Sequence, residues 1–217
     1  MNSNTPIKQR LYITFGKFDS LIYISNLDVA KLWERALRRA NIPILYSEGF
    51  NPRPRIALAT ALPLGISSEC EILDVCLREP IALDGLTERI STASPPGLRV
   101  YEIAEVPVRS PALTARARSA EYRISFDDPV DVDNLRQAVA ELWDADERSY
   151  SRDRKGKSKT VNIRPLIHSL ELTDEGVLLA HLAIGETGNL RPEELLAELG
   201  YAEAVVTVHR VRLHIDP

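Results

Sequence analysis

The chain is expected to be an α+β protein of two tandem ferredoxin-like (split βαβ) lobes with antiparallel sheets, and three observations predict it. Its 217 residues accommodate two units of about 100 residues each, given roughly 100–200 residues per domain. Two segments carry the same order of strand, helix, two strands, helix and strand. A basic stretch containing proline and alanine separates them. The expected division is residues 1–108, a linker at 109–119, and residues 120–217. It rests on element order alone, and the fold by itself implies no function.

In the first segment a strand is expected at residues 11–15 and a helix at 26–40. The helix is marked by Val29, Trp33, Ala36, Leu37 and Ala40 at helical spacing. Ser25 and Asp28 form an S-x-x-D start signal, and Pro43 stops the helix running on. Residues 44–46 lead into an irregular loop, 47–55. Residues 56–62 and 71–77 read as strands, 84–92 as a short helix ending before Pro95-Pro96-Gly97, and 98–106 as the last strand.

The second segment opens on a strand at 122–126. Val132, Leu135, Val139, Leu142 and Trp143 share one face of a helix. Residues 166–172 and 177–184 form a hairpin around 173–176. Pro192 and Gly200 bracket a short helix, and 205–215 alternates as a closing strand.

Composition narrows the function classes. A hydrophobic share of 44% and a charged share of 27% exclude wholesale disorder. A net charge of −4 argues against a general-purpose nucleic-acid binder, although net charge hides local clusters. Residues 1–10 lack the apolar core of a signal peptide, and no apolar run is long enough to span a bilayer. A cytoplasmic protein without membrane association is therefore expected. Cys70 and Cys76 lie on one expected strand, same face, roughly 20 Å apart at about 3.3 Å per residue. They suit neither a disulfide with each other nor a shared metal, and both are expected to be buried.

Three clusters could meet a polyanion. The loop presents Ser47, Glu48, Gly49, Phe50 and Asn51, then Arg53 and Arg55 beside Tyr46. Gly49 permits unusual backbone and Pro52 and Pro54 stiffen the loop. Arginines can fork onto phosphate and aromatic rings can stack a base. Lys31, Arg35, Arg38 and Arg39 share a helix side opposite Trp33. Arg152, Arg154, Lys155, Lys157 and Lys159 crowd a stretch expected as a long loop or hairpin tip, able to neutralise several phosphates. The expected nucleic-acid contacts are Arg35, Arg38, Arg39, Arg53, Arg55, Arg154, Lys155, Lys157 and Lys159. Each cluster has a plain alternative as solvated surface.

Enzyme chemistry finds no linear signature. His181 sits in an apolar strand, and His209 and His214 differ by an odd number, which puts them on opposite faces of a regular strand. No zinc spacing, Walker motif, dinucleotide glycine motif or nucleophile elbow occurs. No catalytic residue, metal or cofactor is assigned.

Four blocks carry a family resemblance: Ser25-Asn26-Leu27-Asp28, Trp33 to Ala40, Tyr46-Ser47-Glu48-Gly49-Phe50-Asn51-Pro52-Arg53-Pro54, and Leu62-Pro63-Leu64-Gly65. Lys155-Gly156-Lys157, Asn162 to Leu166 and Gly188 to Leu195 extend it. Together they resemble the radical-SAM-linked domain-of-unknown-function family. The resemblance implies association with a radical S-adenosylmethionine (SAM) enzyme and a role in RNA processing or modification. The Cys-x-x-x-Cys-x-x-Cys motif is missing here, so a radical SAM partner would be a separate polypeptide. The family usually has histidine where this chain has Asn26, which removes histidine acid–base chemistry there. The leading expectation is a non-catalytic RNA-binding accessory protein. The alternatives are a protein-interaction subunit of the same enzyme, and a metal-independent RNA-cleaving enzyme on paired ferredoxin-like lobes.

Overall fold

The computed structural model describes residues 6–154, 157–185 and 188–216. The chain divides into two units, residues 1–116 and 117–217. Both combine helices with an antiparallel sheet.

Unit 1 contains β1 (Gln9–Lys17), α1 (Asn26–Arg39), β2 (Ile56–Leu58), β3 (Ser67–Leu77), α2 (Leu86–Ala93), β4 (Leu98–Val106) and a single helical turn, α3 (Leu113–Arg116). Its strands lie in the order β4-β1-β3-β2, every neighbouring pair antiparallel. Alternation along β1 and β3 turns Leu11, Ile13, Phe15, Leu73, Val75 and Leu77 to one face. Val29, Trp33 and Leu37 of α1 and Leu86 and Ile90 of α2 close over that face. Fully burying each large side chain contributes about 1.5–3 kcal/mol. Phe15 and Trp33 meet edge to face, centroids 5.0 Å apart.

The ends of α1 follow from local chemistry. Ser25 accepts the Asp28 amide and donates to its carboxylate at 2.6 Å, satisfying an orphan helix donor. At the other end Asn41 takes a left-handed backbone, φ 52°. The Ile42 amide then reaches back to the Leu37 carbonyl at 2.9 Å, a Schellman-type closure in which Asn replaces the usual glycine. The helix has thus stopped before Pro43.

The opposite sheet face of unit 1 carries a buried ion pair. Arg10 donates from Nε to Asp74 at 2.9 Å and from Nη2 at 2.5 Å. The same guanidinium donates to the carbonyls of Val108, Ser110 and Pro111, and Arg116 reaches the Tyr12 hydroxyl at 3.3 Å. Residues 107–116 therefore cross this face as a strap. Of the stretch expected as linker, 113–116 form α3 and 117–119 open the next strand.

Unit 2 contains β5 (Ala117–Phe126), α4 (Val132–Asp144), β6 (Ser149–Arg154), β7 (Lys157–Asn162), β8 (Ile167–Leu172), β9 (Leu178–Ala183), α5 (Pro192–Glu198) and β10 (Val206–Ile215). The order β10-β5-β9-β8 is again antiparallel throughout. Without the separate β6–β7 hairpin and the single turn α3, both units share one sequence of strands and α-helices and one strand order. Ala120, Tyr122, Ile124, Leu178, Ala180 and Leu182 are buried, as are Leu135, Val139 and Leu142 of α4. Trp143 departs from its expected place in this core. It is 39% exposed, with the Arg164 guanidinium stacked 4.2 Å from its ring.

Two further expectations change, the bounds of the middle strands and the burial of the cysteines, and one is met. The strand expected at 56–62 ends at Leu58, while β3 begins earlier, at Ser67. The charged stretch, expected as a long loop or hairpin tip, falls on the hairpin strands β6 and β7, paired from Ser149↔Asn162 to Arg154↔Lys157. Cys70 and Cys76 are half-buried rather than buried, because they lie on the strap side of β3. Among the described residues, no helix is long and apolar enough to cross a membrane.

Candidate functional site

The loop of unit 1 is held shut at its base. The Ser47 amide donates to the Arg53 carbonyl at 2.8 Å, and the Ser47 hydroxyl accepts the Arg53 amide at 2.9 Å. Tyr46 bridges Pro54. Ser47 thus closes the loop at its base. Glu48, Gly49 and Asn51 are exposed at the tip, where Gly49 has φ 124°, a conformation costly for residues with a Cβ. Phe50 is 106% exposed, so its ring is open to solvent. Arg53 and Arg55 are exposed as well.

Two of the blocks that carried the family resemblance meet at the start of α1. Asn26 at the start of α1 accepts the Leu62 amide at 3.2 Å, tying the 25–28 block to the 62–65 block. This gives Asn26 a positioning role.

The arginines of α1 divide by function. Arg39 donates twice to the Ala93 carbonyl, at 2.9 and 2.5 Å, completing the end of α2. Arg35 lines a shallow cleft of about 410 Å³ with Lys31, Leu32 and Pro95. Arg38 lines a second open cleft, of about 570 Å³, with Tyr46, Arg78, Glu79 and Arg89. Arginines from α1, the segment after β3 and α2 thus line one space. Arg78 approaches Glu79 at 3.5 Å, both side chains mostly exposed, a pairing of little energetic weight. Tyr46 donates to Glu34 at 3.0 Å. Burial first, and then the Glu34 carboxylate, raise its phenol above the ordinary value, so it stays neutral.

Sequence reasoning missed Arg78 and Arg89, which are isolated in the chain and reach the cleft only through strand order. In unit 2, Lys159 is exposed on β7. Lys155 and the side chains of Arg154 and Lys157 lie outside the described residues. Arg152 is engaged elsewhere, gripping the buried Glu194 of α5 through two bonds of 2.6 and 2.7 Å.

A second constellation, also missed, occupies the outer face of the unit 2 sheet. His214 and Glu121 are hydrogen-bonded at 2.7 Å, and His181 and Ser119 at 2.7 Å. The His181 ring lies 4.6 Å from His214 in a stack and 4.9 Å from His168. Burial, then the neighbouring His214 and His168, pull the His181 imidazole below its ordinary value, against Glu121. Glu121, His181 and His214 present donor atoms all within 4.8 Å of one another, so these three residues could hold a metal.

Fold and surface define an α+β protein of two antiparallel units carrying an arginine-lined cleft and a histidine cluster. Residues 10–192 match the family of uncharacterized proteins conserved in bacteria, DUF2344, and the chain belongs to that family. No curated protein matches it. Among solved structures the chain is similar to one chain of a Cbf5-Nop10-Gar1 complex, at 12% identity and a TM-score of 0.48, covering 94% of this chain and 48% of that one. It is also similar to an unknown protein from Galdieria sulphuraria, at 13% identity and a TM-score of 0.28, covering 94% and 98%. The chain therefore spans about half the length of the first of these.

Proposed function

We propose that this protein is a non-catalytic, RNA-binding accessory protein working in the cytoplasm with a separately encoded radical SAM enzyme, and that both units are ferredoxin-like lobes. The shared strand order supports the second statement. The observation that carries the first is the cleft lined by Arg38, Arg78 and Arg89 around Tyr46. Arginines from three segments, lining one space with one carboxylate, suit successive phosphates of a single strand. The closed loop adds an exposed ring, Phe50, on which a base can stack, beside Arg53 and Arg55. The radical SAM partner rests on the resemblance of the motif blocks alone.

Charge reversal tests the reading. Arg38→Glu with Arg89→Glu weakens RNA binding strongly, and Arg53→Glu with Arg55→Glu weakens it further. Phe50→Ala costs about 1–3 kcal/mol if a base stacks there. Unchanged RNA affinity in both double variants overturns the proposal. Capture of the radical SAM enzyme that is lost in Phe50→Ala and insensitive to salt would instead favour a protein-interaction subunit.

A further inference from the structure

The histidine cluster of unit 2 is assembled by irregularities in its strands. In β8, Ile167 pairs with Leu182 and Ser169 with His181, so His168 is the extra residue of a β-bulge. In β10 the register slips between Arg210 and Arg212. Because of that slip, His209 opposes Arg123 and His214 opposes Ser119, both odd positions of β5. The two histidines therefore share the outer face, and the expectation of opposite faces is overturned by one inserted residue. Bulges re-aim side chains, and they recur beside functional sites.

Cross-strand pairing alone accounts for part of the arrangement. A His–Glu pair and a Ser–His pair are ordinary contacts of a sheet surface. They do not explain why two imidazoles stack between those pairs or why a bulge sets a third imidazole against them. Nor do they explain why the donor atoms of Glu121, His181 and His214 converge within 4.8 Å. The side chains of His214 and Glu121 are 36% and 35% exposed, which leaves an entry path from solvent.

We propose that Glu121, His181 and His214 form a binding site for a divalent first-row transition metal, of which Zn²⁺ is the type ion. Two imidazole nitrogens and one carboxylate oxygen suit Zn²⁺ and its neighbours, whereas Mg²⁺ and Ca²⁺ call for oxygen donors throughout. Metal–ligand bonds of about 2.0–2.1 Å place tetrahedral donors roughly 3.3 Å apart. Side-chain rotation closes the wider separations, and the His214–Glu121 contact opens slightly. Three protein ligands leave the solvent side for water, the arrangement of an open rather than a closed site. Ser119 orients His181 from the adjacent strand, and the His168 ring packs against the same imidazole, as supporting groups around metal ligands do.

The test uses the full-length, tag-free chain stripped of metal. Calorimetric titration with Zn²⁺ should show one equivalent bound. Titration with Co²⁺ should develop a visible absorption band of a nitrogen- and oxygen-ligated ion. His181→Ala, His214→Ala and the nearly isosteric Glu121→Gln should each weaken Zn²⁺ binding at least about tenfold, while Ser119→Ala, a supporting group, weakens it by about tenfold. His209→Ala, outside the cluster, should leave binding unchanged. Added Zn²⁺ should raise the melting temperature of the wild type and not that of the His181→Ala, His214→Ala double variant. Absence of Zn²⁺ binding by the wild type, or wild-type affinity in Glu121→Gln or in the double variant, overturns the proposal.

Discussion

Replacing Asp74 by Ala isolates a buried positive charge, and the size of the effect follows from the surroundings of Arg10. The two side chains are 9% and 10% exposed and joined by two hydrogen bonds. Asp74 is also the leading cause of the raised pKa of the Arg10 guanidinium, against the opposing pull of burial. Removing one partner of a buried pair costs about 3–5 kcal/mol. The guanidinium keeps its bonds to the strap carbonyls, so a loss near 3 kcal/mol is expected for Asp74→Ala. Replacing both partners, Arg10→Met with Asp74→Leu, removes the stranded charge. The strap carbonyls, on exposed or half-buried residues, then turn to water, and the double variant should be more stable than Asp74→Ala alone. In a Trp143→Phe background the remaining indole, Trp33, reports on unit 1, so urea unfolding followed by fluorescence gives the midpoint shift. Hydrogen exchange across residues 107–116 should quicken in the double variant, which has lost the donor that holds the strap. A loss below about 1 kcal/mol for Asp74→Ala, or additive single and double variants, would refute the reasoning.

Two other predictions concern unit 1. The Trp33 indole N–H is buried with no hydrogen-bond partner among the described residues, so Trp33→Phe removes a donor that costs about 1–3 kcal/mol where it stands. That gain offsets the lost ring volume, and Trp33→Phe should change stability far less than Trp33→Ala, expected to cost about 3–5 kcal/mol by thermal unfolding. The Cys76 thiol is pushed up by burial and then by the Asp74 charge, which leaves little thiolate near pH 8. Its alkylation there, followed by mass spectrometry, should be slower than in the unfolded chain and should accelerate as pH rises.

Most of the framework was legible because it is written locally. The apolar spacing of α1, the Ser25 cap and the hairpin turn at 173–176 are each written in their own residues. Trp143 failed because helical spacing marks a face without marking where the core ends, and Arg164 gives that ring a surface partner. The cleft was half legible: Arg38 was visible on its helix, whereas Arg78 and Arg89 join it only through the strand order. The histidine cluster had no linear signal. Its members come from β8, β9 and β10, and a single inserted residue in β10 reversed the parity from which opposite faces had been expected. Arg39 bonds Ala93, and Arg152 bonds Glu194 and Asn189, contacts between distant segments that no local spacing announces.

A cleft in unit 1 that receives RNA phosphates makes RNA affinity depend on salt. Binding of single-stranded RNA to the full chain, measured across a salt series, should weaken with a log–log slope of about −0.7 per neutralised phosphate, near −2 for three guanidiniums. Arg89→Glu should make that slope shallower by at least one phosphate. No binding at low salt, or a slope near zero that Arg89→Glu leaves unchanged, would contradict the account.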